Sequence, residues 1–180
     1  MGAYLDKVVA RTRELGLDGL SFSGIPVFGS YTDQAAQKAV ASLFIEKFAA
    51  VAGPDKELLL LFEGDPQFLA PADRAKVDYF VLDTKETDNA TDLKLQVLRA
   101  LSAGAIPCNK LLLGAKTEYE FTDEDKGAAD AISALTIRTP EIGSQPLAGL
   151  CIYSVNADYF GAEFIYPLTR QAIQTLNPSK

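Results

Sequence analysis

The side chains best able to move a proton or grip a polar ligand fall at recurring places: Glu63 and Asp65, Asp83, Glu118 and Glu120, then Tyr153, Asn156 and Asp158. Paired carboxylates can share general acid and general base work. With an amide and a phenol they also supply a varied set of hydrogen-bond donors and acceptors. The 180-residue chain has no histidine. That removes the commonest general base and the commonest zinc ligand together, and excludes Ser-His-Asp and Cys-His catalysis. The two cysteines, Cys108 and Cys151, do not make a metal site at their spacing. Cys151 sits in an apolar run and reads as a buried free thiol. No metal and no cofactor is expected.

These polar residues close runs that read as strands. Residues 18–23 form a first strand, 57–64 (ELLLLFEG) a second, 77–83 (VDYFVLD) a third, 109–115 (NKLLLGA) a fourth and 147–155 (LAGLCIYSV) a fifth. The apolar run of the second lacks alternation, which predicts burial on both faces. Helical spacing fills the gaps. Residues 3–15 bring Leu5, Val8, Val9 and Leu15 to one face, with Gly16 as the stop. Residues 34–52 carry Val40, Leu43, Phe44, Phe48 and Val51, ended by Gly53-Pro54. A short helix is predicted at 71–76, longer ones at 90–103 and 123–135, and a last one at 164–176 that packs Ile165, Leu168, Ala172, Ile173 and Leu176. Apolar strands separated by amphipathic helices imply an α/β fold of parallel strands with right-handed crossovers. The fold is expected as one β/α domain over residues 1–180, and periodicity alone leaves open sheet and partial barrel both standing.

In such folds the chemistry gathers at the C-terminal ends of the strands. The first strand is therefore unusual. Its sequence, LDGLSFSGIP over residues 17–26, ends without an acid and offers only Ser21 and Ser23. The net charge is -7, and an acidic surface repels phosphate backbones, so nucleic acid is not an expected partner. No apolar run reaches the roughly 20 residues of a membrane span, and no signal-peptide pattern opens the chain.

The strand sequences and their order resemble glycoside hydrolase family 18, the chitinases and endo-β-N-acetylglucosaminidases. LDGLSFSGI stands where that family carries Asp-Gly-x-Asp-x-Asp-x-Glu at the end of its fourth barrel strand; Asp18 and Gly19 match. KLLLGAKTEYEF resembles the seventh strand, GLCIYSVNADY the eighth, and YPLTRQAIQTLNPS the last helix of the Bacteroidetes branch. The resemblance implies an incomplete TIM-type barrel holding strands four to eight, since a full barrel takes roughly 200–250 residues or more. Either the chain is the C-terminal part of a longer barrel, or it is a natural partial barrel whose open sheet edge is covered by a second copy.

The same resemblance places the family's inner aspartates at Ser21 and Ser23, and its catalytic glutamate at Ile25. In this family the substrate's own N-acetyl group is the nucleophile. An aspartate orients it and a glutamate protonates the leaving oxygen. Serine is too weak an acid for that, and isoleucine has no proton to give. Sliding the register does not restore an acid, because no carboxylate lies between Asp18 and Asp33. The tryptophan usual on strand eight is replaced by Tyr153, whose smaller ring can still stack on a sugar. Asp83 stands where strand six usually offers an amide or a tyrosine near the N-acetyl group.

Three functions follow as alternatives. The first is an inactive hydrolase-derived module that binds a glycan containing N-acetylglucosamine through Glu63, Asp65, Asp83, Glu118, Tyr153, Asn156 and Asp158. The second is an active glycosidase using other acids, Glu63 with Asp83 or Glu118 with Asp158, which would need carboxyls about 5–9.5 Å apart. The third is a structural or interaction module without ligand. Each site residue also has a structural reading: Ser21 and Ser23 hydrogen-bonded inside the core, Glu63 and Asp65 as loop caps, Asp83-Thr84 opening a solvated loop, and Asn156 to Asp158 as turn residues. The resemblance implies a secreted, periplasmic or cell-surface location.

Overall fold

The computed structural model describes residues 2–23, 34–84, 87, 90–116, 141–142, 145–153, 169–170 and 173–174. The chain divides into two compact units. One holds Met1–Val81 with Ser102–Ile106, the other Leu82–Leu101 with Pro107–Lys180.

The first unit opens with helix α1 (Gly2–Glu14). Leu5, Val9 and Thr12 form its buried face. The Thr12 hydroxyl donates to the Val8 carbonyl at 2.9 Å, which satisfies it one turn back. The chain turns at Gly16 with φ +64°, a left-handed conformation suited to glycine, and the Leu17 N–H returns to the Thr12 carbonyl. Leu15, expected on the buried face, lies beyond the helix end and is 53% exposed. Strand β1 (Gly19–Phe22) follows, then helix α2 (Gln34–Phe48) and strand β2 (Leu59–Glu63). The buried face of α2 is Ala41, Ile45 and Phe48. Val40 and Leu43, expected in the apolar stripe, stay exposed one step around the helix from the buried one.

A one-turn 3₁₀ helix (Pro66–Phe68) and the short helix α3 (Pro71–Arg74) lead to strand β3 (Tyr79–Leu82). The pairings β1–β2 and β2–β3 are both parallel, with Ser21 beside Leu61 and Leu61 beside Tyr79. An aromatic cluster forms one side of the sheet. The Phe22 ring lies 4.9 Å from Phe44 and 6.1 Å from Phe62, and Phe62 meets Phe80 edge-on at 6.1 Å. Leu58, Leu60 and Phe62 are buried there, whereas Leu59 is 41% exposed and Leu61 and Glu63 are half-buried. The unbroken apolar run of β2 is thus fully buried on one face only. The pleat turns alternate side chains away from the aromatic cluster.

Polar ties close this unit. Asp78 accepts from the Leu60 N–H at 2.8 Å. Arg74 spans three carbonyls, Pro66 at 2.9 Å, Leu69 at 3.0 Å and Gly104 at 2.6 Å. Asp73 is buried, and burial pushes its carboxyl up. Hydrogen bonds from Lys76 and Ser42, with the Lys76 charge, outweigh that and hold it below its ordinary value.

The second unit takes most of helix α4 (Ala90–Gly104), which buries Leu93, Val97 and Ala100. After a 3₁₀ turn (Cys108–Lys110) come strand β4 (Leu111–Lys116), a two-residue hairpin of β5 (Glu141–Ile142) and β6 (Gln145–Pro146), and strand β7 (Gly149–Tyr153). The hairpin is a feature the periodicity did not foretell. β4 and β7 run parallel, with Gly114 beside Cys151 and Lys116 beside Tyr153. The helices expected over 123–135 and 164–176 lie outside the described residues, apart from helical pieces at 169–170 and 173–174. The five expected strands are present, and among the described residues every pairing within the units, the β5–β6 hairpin apart, is parallel, as an α/β fold of βα units requires. Among the described residues no helix is long and apolar enough to cross a membrane.

Candidate functional site

The first strand reaches its C-terminal end with two hydroxyls on the surface. Ser21 and Ser23 are both exposed, so the structure does not give them the core hydrogen-bonding role. They alternate with Leu20 and Phe22, which turn into the aromatic core. Gly19 allows this strand to sit where it does. A Cβ on residue 19 would come 2.5 Å from the Leu59 carbonyl oxygen and 2.8 Å from the Leu59 Cβ. No side chain fits there, and the Leu59 N–H donates to the Asp18 carbonyl at 2.9 Å across the same gap. Ile25 lies outside the described residues.

Glu63 ends β2 half-buried. Its pleat direction is that of Leu61, opposite the buried Phe62. Gly64 then turns with φ 142°, and its N–H donates to the Val81 carbonyl at 2.9 Å. Asp65 is a cap. It precedes the Pro66–Phe68 turn, and its carboxylate accepts from the Gln67 backbone N–H at 3.0 Å and from the Gln67 side-chain amide. Both carboxylate oxygens are engaged locally, the structural role foreseen as its alternative.

In the second unit Asp83 follows β3 and is exposed, but its neighbour Thr84 is fully buried and does not open a solvated loop. The Thr84 hydroxyl donates to the Gly114 carbonyl at 2.8 Å. Tyr153 closes β7, half-buried. Leu111, Leu113 and Ala115 are buried, so Gly114, Cys151 and Tyr153 share the other face of β4 and β7. A Cβ at position 114 would stand 3.1 Å from the Leu82 carbonyl oxygen, 3.2 Å from Cε2 of Tyr153 and 3.3 Å from the Thr84 nitrogen. The two backbone atoms flank Asp83. The backbone on either side of Asp83 and the ring of Tyr153, 70 positions further along the chain, therefore both approach Gly114, a glycine that leaves room for the ring.

Neither Thr84, read only as part of a loop start, nor Gly114 was among the candidate site residues read from sequence. The legible signal was Gly114 itself, a glycine inside an apolar strand, which marks a close approach. Cys151 is half-buried rather than buried. Glu118, Glu120, Asn156 and Asp158 lie outside the described residues. Among the described residues no group of three Cys, Asp or Glu side chains could hold a metal ion.

Comparison with known proteins places this geometry. The family model described as glycoside hydrolase family 18, BT1044-like, matches residues 1–175. No curated protein matches the chain. Among solved structures, a selenomethionine form of a BT1044 variant is 14% identical with TM-score 0.66, covering 98% of this chain and 59% of that one. The apo endo-beta-N-acetylglucosaminidase from Cordyceps militaris is 18% identical with TM-score 0.69, covering 98% of this chain and 62% of its own. A double mutant of that enzyme, in complex with fucosyl-N-acetylglucosamine-Asn, matches with TM-score 0.68 at 18% identity, over 98% of this chain and 62% of its own. The chain thus spans about three fifths of the solved chains it matches. At these identities the likeness shows the fold, an α/β partial barrel of the TIM type.

Proposed function

This chain belongs to glycoside hydrolase family 18, BT1044-like, and from that premise we propose that it is a carbohydrate-binding module that holds an N-acetylglucosamine-containing glycan without cutting it. The observation that carries the reading is the end of β1. Where the family's motif aligns its inner aspartates, this chain presents two exposed serines, and the aligned glutamate position is Ile25. A hydroxyl can orient a sugar or its N-acetyl group by hydrogen bonding. It cannot protonate a glycosidic oxygen at useful strength.

Binding does not need that acid. Tyr153, whose ring lies against Gly114, is proposed to give a face for stacking, and the exposed Asp83 an acceptor for sugar hydroxyls. Glu118, Asn156 and Asp158 are proposed to add polar contacts. The proposed ligand class draws support from the solved relative whose complex holds fucosyl-N-acetylglucosamine-Asn. β1 is the outer strand of its sheet among the described residues. We propose that a second copy, or a further βα segment of a longer chain, pairs with it.

Isothermal titration with tri-N-acetylchitotriose, run beside a fluorogenic chitobioside assay, tests this reading. The expected result is saturable binding that Tyr153→Ala abolishes, with no turnover. Turnover lost in Glu63→Gln or Asp83→Asn would instead establish a glycosidase with relocated acids. Absence of both binding and turnover would leave an interaction module.

A further inference from the structure

Helix α4 turns two leucines to the surface, on the side away from its buried stripe. Leu93, Val97 and Ala100 are buried, while Leu95 is 60% exposed and Leu98 41%. A surface helix ordinarily carries polar residues on that side. Spaced i, i+3, the two leucines are neighbours on the helix surface, about 4.5 Å apart along the axis. Exposed leucines are ordinary by themselves; the charges around this pair select an occupant. Asp92 and Arg99 are both exposed and flank it. Spaced i, i+7, they return to the same side of the helix within about 20°. Their midpoint falls about 1.5 Å along the axis from the midpoint of the two leucines. Lys94 stands on the other flank.

Such a face fits itself. A two-fold axis perpendicular to α4 sets a second copy of the helix antiparallel to the first, with Leu95 of each against Leu98 of the other. It also keeps flank beside flank. Asp92 of each copy then comes level with Arg99 of the other to within about 3 Å along the axis, inside the reach of an arginine side chain. A parallel pair would put acid and base on opposite sides of the seam, so the charges choose the antiparallel one. We propose that this face of α4 is a homodimer contact, a seam of Leu95 and Leu98 edged by reciprocal Asp92–Arg99 pairs between two copies of the chain. One helix pair covers less than the roughly 1,200 Å² of a standard interface. The dimer is accordingly weak and forms as concentration rises.

Sedimentation velocity of the full chain over a concentration series tests this. Wild type should pass from monomer to dimer. Leu95→Ser combined with Leu98→Ser should weaken association at least about tenfold. Asp92→Arg and Arg99→Asp each set four like charges along the seam, and each alone should weaken it about three- to tenfold. An equimolar mixture of those two variants should associate within about threefold of wild type, because acid meets base again across the seam. All four positions are exposed, so the core is untouched, and a melting curve for each variant checks that it folds. A wild type that stays monomeric, leucine variants that associate as wild type does, or a mixture no tighter than its components would each overturn the contact. The second of these results would assign the dimer to another face, such as the outer edge of β1.

Discussion

Replacing Gly19 with alanine tests whether the close seat of β1 against β2 holds the site strand in register. The added Cβ would lie 2.5 Å from the Leu59 carbonyl oxygen, well inside the 3.4 Å at which ordinary contact begins, and 2.8 Å from the Leu59 Cβ. The first obstacle is backbone and cannot rotate away, so the strands must part by most of an ångström. Overpacking of this kind costs about 1–3 kcal/mol, and a backbone obstacle argues for the upper end. The parting also strains the 2.9 Å bond from the Leu59 N–H to the Asp18 carbonyl, worth about 1 kcal/mol. A chain of this length loses about 2–4 °C in melting temperature per kcal/mol, so the drop should be roughly 6–12 °C by circular dichroism. Gly16→Ala is the control. Nothing lies within 4 Å of its Cβ position, and only the φ of +64° is strained, for about 1–2 kcal/mol. A Gly19→Ala protein melting within about 2 °C of wild type, or more stable than Gly16→Ala, would refute the packing argument.

Gly114→Ala is a milder case: its Cβ would crowd Tyr153, Leu82 and Thr84 by only 0.1–0.3 Å from ordinary contact, so stability should fall about 1 kcal/mol while the movable Tyr153 ring shifts and chitotriose affinity drops more than the melting point suggests. Thr84→Val removes the 2.8 Å bond to the Gly114 carbonyl at a fully buried position and should cost about 1–3 kcal/mol in urea unfolding, with Thr84→Ser close to wild type. Asp65→Ala removes a cap and should cost about 0.5–2 kcal/mol with glycan titration unchanged. Because the folded Asp73 carboxyl is held below its ordinary 3.8, its contribution is fully present well above that value and fades as pH falls through it toward the folded value. Unfolding free energies of wild type and Asp73→Asn should therefore differ by a constant amount near neutral pH and converge in the acid range.

Local pattern carried most of the fold. Apolar runs bounded by Gly and Pro located β1, β2, β3, β4 and β7, and helical spacing located α1, α2, α3 and α4, because burial imposes those periods on any βα chain. The absence of histidine was also legible at once, since no fold can supply a missing side chain. The β2 run, by contrast, looked buried on both faces, yet Leu59 remains exposed; an apolar side chain cannot report whether anything is built against it. The same holds for Val40 and Leu43, whose spacing on α2 suited a stripe one step from the one used. Asp65 was indistinguishable from a ligand residue until its Gln67 partners were in view. Only the tertiary structure brings the Tyr153 ring to Gly114, and only strand register sets Leu61 between Ser21 and Tyr79. Those neighbours are joined through space by sheet pairing, and separation along the chain carries no record of which strands will lie side by side.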